Sequence, residues 1–478
     1  MGILSILVLF AVLLLALSYH NVKLVIWDVA IAAFLVLVSV LSHASVLGLI
    51  ALWLVTLAIL VPINIPSVRE KYLITPFFAL TKKMLPPLSE TEEQAIDAGT
   101  VNWDGEVFSG RPNWKSMYQL SQAAMSEEEQ TFIDNETREL CRLATPWDYI
   151  LRNEDSPPEL VDYIRKNGFM TFLIPKKYGG KEFSAFSQSQ ICLMFSSRSM
   201  IGSYYISVPN SLGPGELIEK YGTQEQIEYY LPRLSSGEEI PCFALTGPFA
   251  GSDAGSLPDN GIICKGKYHG KEVLGIKLTF KKRYITLAPV ATLVALAFKL
   301  YDPDHLLSDK EEYGITCALV PANTKSLKIG RRHMPLRQAF PNGPIEGKDV
   351  FIPLDNIIGG IEMAGRGWQM LIECLSVGRV ITLPTIATSG CKTSAYAAGY
   401  YARIRKQFGI SIGEFDGVQE ALADIAGLTF ITDAIRHFTL AAVARGEKPS
   451  VPSAISKYHT TEFLRKVGDR AMDVHGGK

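Results

Sequence analysis

The stretch "GTQEQIEYYLPRLSSGEEIPCFALTGPFAGSDAGS", Gly222 to Ser256, holds two textures in thirty-five residues. Up to about Pro232 the apolar positions recur with helical spacing. From Ile240 the pattern changes to short apolar runs closed by small and polar residues. The new pattern continues through "GIICKGKYHG", "EVLGIKLTF", "YITLAPVATLVALAFKLYD" and "GITCALVPA", each bounded by Gly, Pro or Asp, and reads as an antiparallel β unit to about Pro353. On either side the spacing is helical. Upstream, "MSEEEQTFIDNETRELCRLA" carries an apolar face of Phe132, Ile133, Leu140 and Leu143, with Ser126 and Glu129 forming a capping box. Downstream, "GRGWQMLIECLSVGRVITLPTIATSG" resumes the helical period, which persists to Lys478. Strands and helices are segregated rather than alternating, so the fold class is α+β and not doubly wound.

The first sixty-five residues stand apart. Ile3 to Leu17, Leu24 to Leu41 and Val46 to Ile65 are apolar runs close to the length that crosses a hydrocarbon core, about 30 Å. No Lys or Arg precedes the first run, which argues against a cleaved signal peptide. Lys23 follows the first run, and Arg69 and Lys71 follow the third, placing the bulk of the chain on the cytoplasmic side. The expected organisation is a membrane anchor of about three spans over 1–65, with Asp28 tolerated near an interface without a partner. A connector follows over 66–124, then a helical domain over 125–239, a β-domain over 240–355 and a second helical domain over 356–478.

Composition removes several classes of function. Net charge is −1, so no broad basic field points to nucleic acid. The seven cysteines are scattered without a CxxC pair, so neither a disulfide framework nor a metal centre is expected. "GIICKGK" has phosphate-loop spacing, but Tyr268 stands where Ser or Thr would hold magnesium, and strands flank it. G-x-G-x-x-G and G-x-S-x-G do not occur. "ALTGPFAGSDAGS" can present backbone N–H groups to a phosphate, or can be a plain polar turn. "RKQFG", Arg405 to Gly409, reads equally as the cationic end of a surface helix.

Their order along the chain resembles one family. "GFMTFLIPKKYGG", the opening stretch to Asp253, "KKRYITLAP", "RKQFG" followed by "VQEALADIA", and "DVHGGK" are similar, in sequence order, to segments of the acyl-coenzyme A dehydrogenases. The particular likeness is to the long, membrane-associated bacterial form used in fatty-acid β-oxidation. The resemblance implies a helical domain, a β-domain and a C-terminal helical domain that is incomplete here, with FAD as cofactor and fatty acyl-CoA as substrate. It further implies an electron-transfer flavoprotein as acceptor, a homo-oligomer, and a catalytic part on the cytoplasmic side of the bacterial inner membrane.

Residue by residue, the resemblance implies that Phe243, Leu245, Thr246, Gly251 and Ser252 wrap the flavin, with Ser252 shared with the acyl-CoA. Tyr284, Ile285 and Thr286 would line the isoalloxazine. Arg405 and Gln407, with Val418 and Gln419 beside them, would reach the FAD of a neighbouring subunit. Asp473, Gly476 and Gly477 would close that site, and Ser376, Gly378 and Arg379 would pass the thioester. Gly247 stands where the family has an acidic residue, Tyr284 where Trp is common, and Gln407 and Asp473 are unusual choices. In the family the base is a glutamate beyond the His-Gly-Gly loop, or in some relatives a residue just before the arginine matching Arg379. The first is expected after Lys478 and the second is Gly378, so these residues are expected to contain no catalytic carboxylate, Glu373 being about a turn and a half away. The alternative is a non-catalytic flavoprotein or interaction module on the same fold. A membrane transporter with a soluble appendage is outweighed by the length of chain after the anchor.

Overall fold

The computed structural model describes residues 3–20, 22–41, 45–88, 93, 97, 99–120, 122–144, 156–211 and 213–477. Side chains are described for these except residues 3, 4, 337 and 375–377. The chain divides into two compact units, Met1–Leu88 and Ser89–Lys478.

In the first unit the uncharged runs form helices α1 (Ile3–Tyr19), α2 (Leu24–Leu41) and α3 (Val46–Asn64). Ser45 caps α3 by accepting from the Gly48 N–H. Ile31, Leu35 and Val38 form the buried stripe of α2. By length and composition α2 and α3 can cross a membrane, whereas α1 is a shorter apolar helix, so the expected three spans reduce to two candidates. Asp28 also departs from expectation. It has a partner: the Asn64 amide donates to its carboxylate at 2.9 Å, satisfying part of a charge that apolar surroundings would penalise. Beyond Ile65 the chain forms α4 (Pro66–Arg69), a π-helical turn (Glu70–Ile74) and α5 (Thr75–Met84).

In the second unit two short helices, Asp104–Phe108 and Trp114–Gln119, precede helices α6 (Glu127–Phe132), α7 (Arg138–Leu143), α8 (Pro158–Lys166), α9 (Ala185–Ser196), α10 (Met200–Ser207), α11 (Pro214–Tyr221) and α12 (Gln224–Ser235). The capping box at Ser126 and Glu129 opens α6. Phe132, Phe169, Phe172 and Phe183 pack ring against ring beneath it. Next comes a seven-stranded sheet among the described residues: β1 (Pro241–Ala244), β2 (Asn260–Tyr268), β3 (Lys271–Thr286), β4 (Leu293–Tyr301), β5 (Glu312–Pro321), β6 (Leu327–Ile329) and β7 (Asn342–Pro353). The sheet is mixed, which corrects the antiparallel expectation. β4 runs parallel to β1 through Pro241–Leu293 and to β2 through Asn260–Lys299, while β2–β3, β3–β7, β4–β5 and β6–β7 are antiparallel. The loop from β1 to β2 returns the chain to the same edge of β4, pointing the same way, so both pairings are parallel.

Three long helices complete the unit: α13 (Gly367–Ile404), α14 (Asp416–Ala444) and α15 (Ser450–His475), with a hairpin of β8 (Lys406–Gln407) and β9 (Ile410–Ser411) between the first two. Val467, Ala471 and Val474 of α15 are buried against Cys391, Ala398 and Ala402 of α13, on the face that the apolar spacing marks. A fully buried cation, Arg436 of α14, donates to Ser189 Oγ of α9 at 2.7 Å and to Asp433 Oδ1 at 2.8 Å, tying the first helical layer to the last.

Candidate functional site

The expected site residues gather in two places. The first lies where β1 ends. Leu245 to Asp259 form a loop over the end of β3, and a buried ion pair fixes it from below. Lys282 is fully buried; its ammonium donates to Asp259 Oδ2 at 2.5 Å and to the Leu245 carbonyl at 2.9 Å. Burial drives the Lys282 pKa down, while the Asp259 charge and hydrogen bond oppose the shift. The other Asp259 oxygen accepts from the Lys281 N–H, and the Arg283 N–H donates to the Thr246 carbonyl at 3.0 Å. Gly247 fills the tightest point: a Cβ there would lie 2.9 Å from the Lys281 carbonyl oxygen, so the acidic residue of the resemblance has no room.

A β-bulge decides which side chains face outward. The β3–β7 register slips between Lys282 and Ile285, inserting one residue, and Tyr284 takes φ 60°. Lys282 and Ile285 therefore both point inward, while Arg283 and Tyr284 are both exposed. Tyr284 is 57% exposed, with the Arg283 guanidinium 4.8 Å and the His333 ring 5.1 Å from its ring. Thr286 follows, half-buried opposite Asn342. The backbone N–H groups of Gly251 and Ser252 donate to no protein acceptor among the described residues. This edge thus offers an exposed aromatic, hydroxyls and open backbone donors.

The second place is one end of the α13–α14–α15 bundle. β8 and β9 are joined by Phe408 (φ 55°) and Gly409 (φ 87°), both left-handed, as a two-residue hairpin turn demands. The Arg405 carbonyl accepts from the Ile412 N–H at 2.9 Å, pinning the base of the hairpin and leaving the Arg405 and Gln407 side chains exposed. Tyr401 of α13 stacks on His475 of α15 at 4.6 Å, bringing the Asp473–Gly477 turn beside the hairpin. Val418 packs into the same core, and Gln419 donates to the Gly413 carbonyl. Asp473 also lines a hollow of about 540 Å³ with Asp424, Lys466 and Arg470. Among the described residues no hydrogen bond, ion pair or ring contact joins the two places.

Around the expected thioester segment, Gly378 is buried: a Cβ would meet Ser211 Cβ and the Ser211 carbonyl oxygen at 2.8 Å. Arg379 is exposed, and the Ser376 side chain lies outside the described residues. Glu373 is committed elsewhere. It accepts from Lys220 at 2.5 Å, from Tyr221 at 2.7 Å and from Gln369 at 3.1 Å. Burial raises its pKa, but these donors outweigh it and hold the carboxyl at about 2. A carboxylate so stabilised is a poor proton acceptor near neutral pH.

Residues 121–238 match the acyl-CoA dehydrogenase N-terminal domain, and residues 365–478 match the acyl-CoA dehydrogenase C-terminal domain. The chain belongs to the acyl-CoA dehydrogenase family. Over 331 residues it is 27% identical to the caffeyl-CoA reductase–Etf complex subunit CarC of Acetobacterium woodii, covering 69% of this chain and 82% of that one. A shorter stretch of 103 residues is 63% identical to a Proteus mirabilis protein named HemX, covering 22% of this chain and 61% of that protein. The chain thus spans less than two thirds of that relative's length. The fold matches butyryl-CoA dehydrogenase of Megasphaera elsdenii with a TM-score of 0.64 at 20% identity, over 75% of this chain and 90% of that one. It also matches PigA in complex with FAD and proline, with a TM-score of 0.65 at 22% identity, over 75% and 89%.

Two groups in this chain escaped the reading of the sequence. Lys282 sits in "KKRYIT", where a run of three cations looks like a solvated edge, and its partner Asp259 lies 23 residues away. Glu216 of α11 is the other. One of its oxygens is buried without a protein partner among the described residues, and burial lifts its pKa to about 7. A carboxyl whose folded pKa is raised binds its proton more tightly folded than unfolded. Its contribution is therefore intact below about pH 4.5 and is lost as the pH rises through about 7. Glu216→Gln, which stays neutral, should match the parent near pH 4.5 and exceed it by up to about 3 kcal/mol at pH 8. Thermal melts of both proteins across that range provide the check; parallel curves would contradict the assignment.

Proposed function

We propose that this chain is the flavin- and acyl-CoA-binding part of an enzyme that converts fatty acyl-CoA to trans-2-enoyl-CoA, the first oxidative step of fatty-acid β-oxidation. The observation that carries the reading is the separation of the candidate residues into two complementary places on one family fold. The β-domain edge has the aromatic, hydroxyl and backbone donors suited to a flavin ring. The bundle end has an exposed arginine suited to a pyrophosphate. FAD fits these groups: Thr246, Ser252, Tyr284 and Thr286 would hold the ring end. Arg405, Gln407, Val418, Gln419, Asp473, Gly476 and Gly477 would hold the remainder from a second copy, so the working form is a homo-oligomer.

When bound, the flavin supplies a two-electron acceptor for the hydride leaving the β-carbon. The protein orients the thioester with its α- and β-carbons against the ring, Ser252 and the start of the Gly378–Arg379 segment flanking it. Hydroxyl and backbone donors at this edge would polarise the thioester oxygen and stabilise charge developing on it. An electron-transfer flavoprotein is the proposed acceptor of the electrons, in keeping with the Etf complex named for the Acetobacterium relative. The apolar helices α2 and α3 support attachment to the bacterial inner membrane, with the catalytic part cytoplasmic.

A second reading, a non-catalytic flavoprotein, is favoured by two observations: Glu373 is held as a carboxylate by Lys220, Tyr221 and Gln369, and position 378 has no side chain. An assay with palmitoyl-CoA and a dye acceptor separates the two. Flavin-dependent desaturation supports the enzyme; binding of flavin and acyl-CoA without turnover supports the second reading. Attachment is checked by alkaline carbonate extraction, where the full chain should stay in the pellet and a chain starting near Ser89 should not.

A further inference from the structure

The segment after α3 has a design that the spans do not require. Ile65 is extended (φ −91°, ψ 108°) and Pro66 opens the next helix, so the chain turns a corner one residue after α3 ends. From there α4, the π turn and α5 run to Met84 as consecutive helical elements. Leu73, Phe77, Leu80 and Met84 follow one another at spacings of four, three and four residues, which places them on one face. All four are exposed, Phe77 by 71% and Met84 by 77%. Lys82 falls on the opposite side of α5 with Lys83 on its flank, and the wider π turn brings Lys71 round toward Lys82. With Arg69 the segment carries four cations against one acid, Glu70.

We propose that Pro66–Met84 lies in the headgroup layer of an anionic bilayer surface, with Leu73, Phe77, Leu80 and Met84 sunk toward the acyl chains. The inference rests on the reading of α2 and α3 as membrane spans, because the corner at Ile65 then sits at the surface. Three features favour a lipid surface as occupant: continuity with the spans, an uncovered apolar face within the first unit, and cations that complement anionic headgroups. A helix of this kind binds through buried apolar area together with attraction to anionic lipid.

The test labels the full chain with bimane at Phe77→Cys or Lys82→Cys. The background carries Cys141→Ser and Cys264→Ser, since the other five cysteines are buried. Each protein is reconstituted into phosphatidylcholine vesicles containing roughly 30% phosphatidylglycerol and lipid with a nitroxide on its acyl chain. The label at position 77 should be quenched at least about threefold more than the label at 82, and its quenching should fall by about half without phosphatidylglycerol. Protein that floats with the vesicles but shows equal quenching at both positions would overturn the inference and leave the spans intact. Unequal quenching that does not depend on phosphatidylglycerol would overturn the anionic assignment. Protein that does not float would overturn the spans and, with them, this inference.

Discussion

Lys282→Met is expected to destabilise the second unit by about 3–5 kcal/mol, because it leaves the buried Asp259 charge without its partner. The same change frees the Leu245 carbonyl, which now accepts from the Lys282 ammonium, and so loosens the Thr246–Ser252 loop. Two measurements read this out. The unfolding midpoint in denaturant should drop, and flavin should be lost on gel filtration. Lys282→Met combined with Asp259→Leu removes both charges. It should recover most of the stability, since a buried pair replaced by apolar groups is often neutral. Flavin retention should recover less, because the double variant lacks the bond that sets the loop. Recovery of neither property would mean that the pair is not what organises this edge.

Gly378→Glu is the second large effect. The substitution would introduce a carboxylate at the position where some relatives of this family carry their base, so a gain of turnover is the naive expectation. The packing predicts otherwise. The new Cβ would have to displace the Ser211 backbone carbonyl, which lies 2.8 Å from where it would sit. Forcing atoms into a packed interior costs about 1–3 kcal/mol, and burying a charge adds to that. The expected result is a lower thermal midpoint with no gain in desaturation of palmitoyl-CoA. A stable variant that turns over would show that the turn after α10 and α13 can separate to admit a catalytic side chain.

What the sequence revealed followed from how local each feature is. The capping box at Ser126 and Glu129 and the apolar face of α15 are set by residues within a few turns of one another, and spacing alone exposes them. The parallel pairing of β4 with β1 and β2 depends on where the loop after Ala244 returns the chain, and no local pattern records that. The Asp28–Asn64 contact spans two helices, so Asp28 alone looked unpartnered. Tyr284 was legible as a site candidate through the family resemblance. Its exposure, however, comes from a bulge that strand alternation does not predict, because alternation would have turned it inward. The grouping of candidates into two separate places came from the family resemblance and not from spacing, since a sequence orders residues along a line and says nothing of which ones share an edge.

The central claim is that these 478 residues bind FAD with the two places acting together between copies of the chain. Flavin stoichiometry of the purified full chain, measured beside Thr286→Val, Arg405→Ala and a mixture of the two variants refolded together, tests it most directly. The parent should carry about one flavin per chain, each variant should retain a small fraction of that, and the mixture should regain a substantial share because each copy supplies the half the other lacks. A parent protein that purifies colourless and takes up no added FAD would contradict the account.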